Sequence, residues 1–180
     1  MTTATTRSMG AVANDPTAFV RINTKVARRR LVSYSSLGDL IKDLDSIERS
    51  HRAGTLRTLG NHGAGPNFAH IAIAMKGSFD GFPSLGPLWL RLFGRALKKR
   101  VLSRPFQPGF NLRKQDEGKA WDDSVPFDDG LRKLREQIAR AAKPGAAPSS
   151  PHPFFGPMSV AEWQTYYLRH AELHLSFLGL

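Results

Sequence analysis

Ser159-Val-Ala-Glu-Trp-Gln-Thr-Tyr-Tyr-Leu-Arg-His-Ala-Glu-Leu-His-Leu-Ser-Phe-Leu178 is the stretch of sequence that decides the fold. Ser159 and Glu162 have the capping-box spacing that starts an α-helix. Apolar and aromatic residues then recur every three or four positions, as on the buried face of a helix. The pattern predicts a helix from Ser159 to about Leu178, with His170 and His174 in the middle of its apolar face.

Four earlier segments show the same helical period. They run from about Ser36 to Ser50, from Gly63 to Phe79, from Pro87 to Leu102 and from Phe127 to Ala142. Ser36 is the predicted N-cap of the first helix, and Asn61 is that of the second, which tolerates Pro66 in its opening turn. No segment shows the alternation typical of a strand. The prediction is an all-α fold, a helical bundle of four main helices with one extra helix inserted.

The length of 180 residues suggests a single domain. Residues 1–30 are predicted to be an N-terminal tail and lead-in, and residues 31–180 to be the helical domain. Residues 103–126 carry proline, glycine and mixed charges, and they predict a long irregular connection. The segment His152-Pro-Phe-Phe-Gly-Pro157 predicts a fixed turn before the last helix.

The chain is basic, with a formal net charge of +11, which favours anionic partners without identifying one. It contains no cysteine, so disulfides and thiolate ligands are excluded, and any metal must be held by nitrogen or oxygen. The first twenty residues lack the apolar core of a signal peptide, and no stretch has the apolar length of a transmembrane helix. A cytoplasmic location is the expectation.

Three histidines are the candidate metal ligands. His170 and His174 lie four residues apart, so they are neighbours on one helix face, with Cβ atoms roughly 5–6 Å apart. His70 lies on the predicted apolar face of the second helix, together with Ile73 and Ala74. Two imidazoles from one helix and a third from a facing helix can hold a metal ion and leave positions open for water or substrate. The alternative is that the histidines are buried and bonded to their neighbours.

Three further residues are candidates for lining such a site. Asn67, one turn before His70, could orient a ligand or a water, or could simply pack. His152 could line the mouth of the site or pack within its turn. Tyr167, one turn before His170, could donate a proton or fill the core, and filling the core is the favoured interpretation. His51 and His62 are interpreted as structural.

The sequence resembles the DinB/YfiT-like superfamily of metal-dependent helical bundles, and is most similar to bacterial members without an assigned activity. The resemblance covers about Arg30 to Leu180. It rests on these segments: Arg57-Thr-Leu-Gly-Asn61, the helix carrying His70, Asp80-Gly-Phe-Pro83, His152-Pro-Phe-Phe-Gly-Pro157 and Leu168-Arg-His-Ala-Glu-Leu-His-Leu-Ser-Phe-Leu178.

The resemblance implies a four-helix up-down bundle with an extra helix and a long irregular connection between the second and third main helices. It also implies a divalent metal held by His70, His170 and His174, zinc or nickel first and iron or manganese next. Some relatives are transferases or isomerases that use bacillithiol, mycothiol or glutathione. The ending Leu175-Ser-Phe-Leu178 departs from the Arg-Gly-Gln-like ending of many members, so the substrate side of the site is expected to differ.

The leading hypothesis is therefore a metal-dependent enzyme, a thiol-dependent transferase or a hydrolase, acting on a small-molecule substrate. The alternative is a non-enzymatic binding protein for an anionic partner, which would use Arg28–Arg30 and the stripe Arg91, Arg95, Lys98 and Lys99. This stripe lies on the third helix, and the predicted apolar face opposite it carries Leu90, Phe93 and Leu97. Because a solvated basic face is the preferred explanation of the stripe, nucleic-acid or membrane binding is the lesser expectation. In a third hypothesis the histidines are structural and hold no metal. The sequence leaves the oligomeric state open, and a homodimer is one option because Leu168 and Leu175 lie off the predicted core face.

Overall fold

The computed structural model describes residues 21–109 and 121–180, and five α-helices account for most of this part of the chain. They are α1 (Leu37–Arg52), α2 (Ala64–Asp80), α3 (Leu88–Leu102), α4 (Phe127–Ala141) and α5 (Val160–Leu175). Two short strands, β1 (Arg57–Thr58) and β2 (Leu178–Gly179), pair in antiparallel fashion. The prediction of a mainly helical chain is confirmed. The predicted tail up to residue 20 and positions 110–120 of the predicted connection lie outside the described residues.

The predicted helix starts are confirmed where a side chain caps the helix. The Ser36 hydroxyl accepts a hydrogen bond from the Asp39 amide at the start of α1, and Ser159 and Glu162 form the full capping box of α5. The predicted cap of α2, Asn61, was wrong, because the cap is Gly63. Asn61 instead exchanges two hydrogen bonds with the backbone of Ile22, at 2.7 and 3.0 Å.

The end of α5 also differs from the prediction. The helix ends at Leu175, because the chain beyond it turns to form β2. Leu178 pairs with Thr58, and the Leu59 amide donates to the Phe177 carbonyl at 2.7 Å. A pairing of two residues on each side has no detectable period, which is why the sequence did not predict it.

The core forms around α2, which is buried along most of its length. Its neighbours are α4 and α5, and α1 packs on the same pair. The largest fully buried side chains are Trp163, Tyr167, Phe68, Leu40, Leu44, Ile47, Ile71, Met75, Leu134, Ile138, Leu175 and Leu178. Leu168 is buried as well. The two leucines from which a homodimer was inferred therefore pack inside the chain, and that reasoning was wrong.

Two glycines let α2 and α4 approach closely. A Cβ atom added to Gly130 would lie 2.3 Å from the Gly65 carbonyl oxygen, and one added to Gly65 would lie 2.3 Å from that of Val125. Carbon and oxygen atoms do not approach so closely without displacement of the backbone. This contact therefore requires glycine at both positions.

The extra helix, α3, lies at the periphery, and Leu102 is its one buried residue. Gly94 faces the turn at 152–157, where an added Cβ would lie 2.2 Å from the Phe154 carbonyl oxygen. Lys98 fastens the same side through hydrogen bonds to the Pro157 carbonyl at 2.9 Å and to Glu162 at 2.8 Å. The predicted apolar face of α3 is thus only partly correct, because Phe93 is 61% exposed.

The lead-in to α1 is tied to the end of the chain by Arg30. Its guanidinium forms a bidentate ion pair with Asp43 at 2.6 and 2.7 Å and donates to the Leu178 carbonyl at 3.0 Å. The Tyr34 hydroxyl donates to the same carboxylate. Arg29 lies over the Phe177 ring, 5.4 Å from its centroid. Two of the three arginines in the basic tract Arg28–Arg30, which was predicted to bind an anionic partner, are therefore engaged within the chain.

None of the helices within residues 21–109 and 121–180 combines the length and the apolar character needed to cross a membrane.

Candidate metal centre

Three histidine side chains from two helices converge at one point. His170 and His174 come from successive turns of α5, and His70 comes from the facing side of α2. The Nε2 atoms of His70 and His170 are 3.2 Å apart. One ring nitrogen from each of the three histidines lies within 4.8 Å of the others. The structure thus brings together the three residues that the sequence selected.

The rings meet edge to face rather than stacked. The centroids are 4.6 to 5.0 Å apart, and the ring planes are inclined by 63 to 90°. In a tetrahedral site with metal–nitrogen bonds of about 2.0–2.1 Å, two ligand nitrogens lie roughly 3.3 Å apart. The separation of 3.2 Å between the His70 and His170 nitrogens matches this value, so these two are spaced to share a metal ion. Without an ion, an N–H···N hydrogen bond between the two imidazoles would give a similar distance.

The protonation state of the cluster also suits a metal. Burial lowers the pKa of His170 and His174 well below the usual value, and the nearby His70 lowers it further. A buried imidazolium is disfavoured because water cannot solvate its charge, and a second positive charge nearby adds repulsion. Both imidazoles are therefore neutral at neutral pH, and the neutral form is the one that binds metal ions.

An aromatic wall that the sequence did not predict closes one side of the cluster. Trp121 lies between His62 and His70 and stacks on both rings, with centroid distances of 3.8 and 4.2 Å and nearly parallel planes. Asp123 holds the Nδ1 atom of His62 at 2.7 Å. Trp121 follows a segment without helical period, so no pattern placed it near His70. The one sequence feature that could have drawn attention to Trp121 is its isolation among charged residues.

Tyr166 forms the other side. Its ring stacks on His170 with a centroid distance of 5.3 Å and an angle of 22°. Its neighbour Tyr167, the predicted candidate for lining the site, instead forms a hydrogen bond with Ser78 in the core through its hydroxyl. Filling the core was the favoured interpretation of Tyr167. Tyr166, His170 and His174 follow one another at intervals of four residues, and this spacing could have identified Tyr166.

The other two candidate lining residues have structural partners. Asn67 is buried, and its amide donates to the carbonyls of His62 and Gly63 at 2.9 and 2.8 Å. Its amide is therefore engaged with the backbone immediately before α2. The interpretation of Asn67 as a packing residue is the one that its contacts support.

His152 is buried, and its Nδ1 atom accepts hydrogen bonds from the Phe154 and Phe155 amides at 3.1 and 3.2 Å. It therefore closes the turn at 152–157. Its ring also packs on Tyr166 at 4.7 Å, so it supports the aromatic side of the site from behind. Burial lowers its pKa to about 3.

A cavity of about 380 Å³ lies beside Trp121, between α2 and α4. Its lining combines apolar side chains, Ala72, Ile73 and Val125, with the charged Lys76 and Glu136. Trp121 is the residue that this cavity shares with the histidine cluster. The space next to the cluster is therefore large enough for a small organic molecule.

The fold and the site define a helical protein with a three-histidine group that could hold a metal ion. The family described as "Protein of unknown function (DUF1569)" matches residues 26–179. The chain belongs to this family. No curated protein and no solved structure matches it. The family description gives no activity.

Proposed function

We propose that His70, His170 and His174 bind one divalent metal ion and that the protein is a metal-dependent enzyme for a small-molecule substrate. The observation that carries this proposal is the convergence of three ring nitrogens within 4.8 Å of one another. Two of these rings are neutral because of burial. His170 is buried and the other two imidazoles are half-buried, and a cation between them would use one nitrogen from each ring.

We further propose that the fold is the four-helix bundle of the DinB/YfiT-like superfamily. In this interpretation α1, α2, α4 and α5 are the main helices, and α3 is the extra helix. The contacts between helices support it. Both α1 and α2 pack on α4 and on α5, whereas α3 packs mainly on α5. The ligands would come from the second and the last main helix, as the resemblance implies.

The chemistry follows from the neutral donor set. Three imidazoles leave the charge of a divalent ion uncompensated, so the ion would act as a Lewis acid that lowers the pKa of a bound water or thiol. Trp121 and Tyr166 cover the faces of His70 and His170, and they fix the directions in which the two imidazoles point.

Two reaction classes fit such a site. One is transfer of a low-molecular-weight thiol to an electrophile, and the other is hydrolysis of a small substrate. The cavity next to Trp121 would hold the organic part of the substrate, and Lys133 in its lining would pair with an anionic group, since Lys76 is already paired with Asp80 at 2.6 Å. Zinc or nickel is the proposed ion, with iron or manganese as the next choices, because imidazole suits several of these metals.

The test is elemental analysis of untagged protein purified without chelator, combined with thermal unfolding. We expect about one metal ion per chain, and its loss in the His170→Ala, His174→Ala double variant. In metal-free protein, zinc or nickel at 100 times its dissociation constant should stabilise the fold by about 2.7 kcal/mol. For a chain of this size, that corresponds to a rise in Tm of roughly 5–10 °C.

The control is His51→Ala, which removes an exposed histidine that stacks on Phe127, away from the cluster. This variant should keep its metal and its response to zinc. Absence of metal from the purified protein, together with no change in Tm on addition of zinc or nickel, would show that the histidines are structural. Turnover is then tested with bacillithiol, mycothiol and glutathione against an electrophile, and with ester and amide substrates without thiol.

A further inference from the structure

The exposed side of α3 and of the turn before it is apolar to an unusual extent. Five large apolar side chains there are between 45 and 70% exposed: Leu85, Leu88, Trp89, Leu92 and Phe93. Leu88 and Leu92 lie one turn apart, as do Trp89 and Phe93, so the four form one continuous patch over the first two turns of the helix. Patches of this kind on a protein surface mark sites of contact with a partner or a membrane.

The same surface is strongly basic at its other end. The segment from Leu85 to Gln107 contains six basic residues and no acidic residue. Lys98 is engaged with Glu162, but Arg95, Lys99, Arg100 and Arg104 are exposed. Within the part of the chain that the structure describes, none of these four forms an ion pair. Arg95 and Lys99 continue the row of Leu88 and Leu92, so apolar and basic side chains point to the same side.

We propose that this surface docks on an anionic lipid membrane. Leu88, Trp89, Leu92 and Phe93 would enter the boundary between headgroups and acyl chains, and the basic residues of the later turns would contact the headgroups. Tryptophan and phenylalanine are typical of that boundary, and arginine and lysine are attracted to acidic lipids. This places the beginning of α3 deepest, while the opposite side of the helix stays on the 152–157 turn through Gly94 and Lys98.

Charge distinguishes a membrane from other occupants of the surface. A second copy of the chain, itself at +11, would bring like charges together around the apolar patch. A nucleic acid would satisfy the basic residues but leave two exposed leucines against a polar backbone. An anionic bilayer matches both the apolar patch and the basic residues, because its interior accepts the apolar side chains and its surface attracts the positive charges. The sequence alone did not favour a membrane, because a solvated basic face was the preferred explanation of the stripe.

The experiment is co-sedimentation of the full chain with phosphatidylcholine vesicles that contain one third phosphatidylglycerol, and with pure phosphatidylcholine vesicles. We expect binding to the anionic vesicles only, weakening as salt is added. The Trp89→Ser, Phe93→Ser double variant should bind at least about tenfold more weakly because it loses the buried apolar area. The Arg95→Gln, Lys99→Gln, Arg100→Gln variant should lose on the order of 100-fold, about fivefold per charge at roughly 1 kcal/mol each.

Two matched variants control for fold and for position. Ile41→Ser changes another exposed apolar residue, on α1, and this variant should bind vesicles as the unchanged chain does. Trp89→Phe should still bind but should lose the blue shift of tryptophan fluorescence that insertion produces. Circular dichroism and the metal content of the Trp89→Ser, Phe93→Ser variant should be unchanged, so that failure of this proposal is separable from failure of the metal site.

Three outcomes would overturn the proposal. The first is no binding of the intact chain to anionic vesicles. The second is equal binding by the Trp89→Ser, Phe93→Ser variant. The third is a concentration-dependent dimer, or an oligonucleotide complex, that uses this surface while vesicles are not bound. Salt-sensitive binding that requires both the apolar patch and the basic residues would support the proposal.

Discussion

Gly130 on α4 faces Gly65 on α2 so closely that a Cβ on Gly130 would lie 2.3 Å from the Gly65 carbonyl oxygen. The contact matters for the site because α2 carries His70. We expect Gly130→Ala to lower the free energy of unfolding by on the order of 3 kcal/mol, since the obstacle is backbone that cannot move locally. For a chain of this size Tm should fall by roughly 6–12 °C in thermal unfolding.

Gly38→Ala is the matched control. Gly38 lies in α1, and the nearest atom to an added Cβ is the Ser36 hydroxyl oxygen at 3.5 Å, an ordinary contact. Alanine there should leave stability unchanged or raise it by up to about 1 kcal/mol, because glycine is the poorer helix former. Similar Tm values for the two alanine variants would contradict the close approach of α2 and α4.

Trp121 is expected to tune the metal affinity without being a ligand. It stacks on His70, so Trp121→Ala frees that imidazole to rotate away from the position that faces the other two. Losses of orienting partners around metal ligands typically reduce affinity by about 10–100-fold. Isothermal titration of metal-free protein with zinc measures this change. Trp121→Phe, which keeps a ring on His70, should lose less.

The control for this prediction is Trp89→Ala, which removes an exposed tryptophan from α3. Its zinc affinity should equal that of the unchanged protein. If Trp121→Ala also bound zinc with full affinity, the stacking would have no part in positioning His70.

The ion pair between Arg30 and Asp43 is expected to contribute more to stability than the surface pairs. Its two side chains are 22 and 14% exposed, and Asp43 also accepts the hydroxyl of Tyr34. Asp43→Asn leaves a half-buried guanidinium without its counter-charge, and we expect a loss of about 2–3 kcal/mol in urea-induced unfolding. Glu136→Gln, in the exposed pair with Arg132, should cost less than about 0.5 kcal/mol. Equal losses would contradict this ranking.

Stability should fall in mild acid when the protein is free of metal. Burial lowers the pKa of His152 to about 3, whereas the unfolded chain restores its usual value of 6.5. Between these two values the unfolded state binds more protons, so stability decreases as the pH falls from 6.5 towards 3. His170 and His174 act in the same direction. Thermal unfolding in chelator between pH 7 and about 4 tests the sign.

His152→Asn is the informative variant in that series. Asparagine places an oxygen near the position of Nδ1 and can accept from the Phe154 and Phe155 amides, yet it does not titrate. The variant should therefore lose less stability on acidification than the unchanged chain. Equal dependence on pH in both proteins would show that His152 does not contribute.

The sequence predicted the helices well because caps and period are local properties. The capping roles of Ser36 and Ser159 can be recognised from a few neighbouring residues, and the structure confirms both caps. The cap of α2 failed because Asn61 is used by a distant partner, Ile22, which no local pattern indicates. The predicted orientation of α3 was wrong for a related reason. The side of α3 that is buried is decided by the fit of Gly94 against Phe154 and not by hydrophobicity.

The site was predictable as far as its residues lie on regular helices. His170 and His174 are fixed relative to each other by helix geometry, and the apolar surroundings of His70 placed it on a core-facing helix. Trp121 was not predictable, because it lies in a segment without period and reaches the site through tertiary packing. Tyr166 and Tyr167 are both one turn from His170, and which of them fills the core depends on neighbours such as Ser78.

The last turn of α5 carries His174 and would ordinarily be the first part of the helix to open. Here the chain beyond it is anchored: the Arg30 amide donates to the Ser176 carbonyl at 2.8 Å, and Leu178 lies in β2. Deuterium exchange at the amides of this turn should consequently be slow even in chelated protein, as in the interior of a helix. The imidazole of His174 would then be held ready before any cation arrives, so capture of the ion would require little rearrangement.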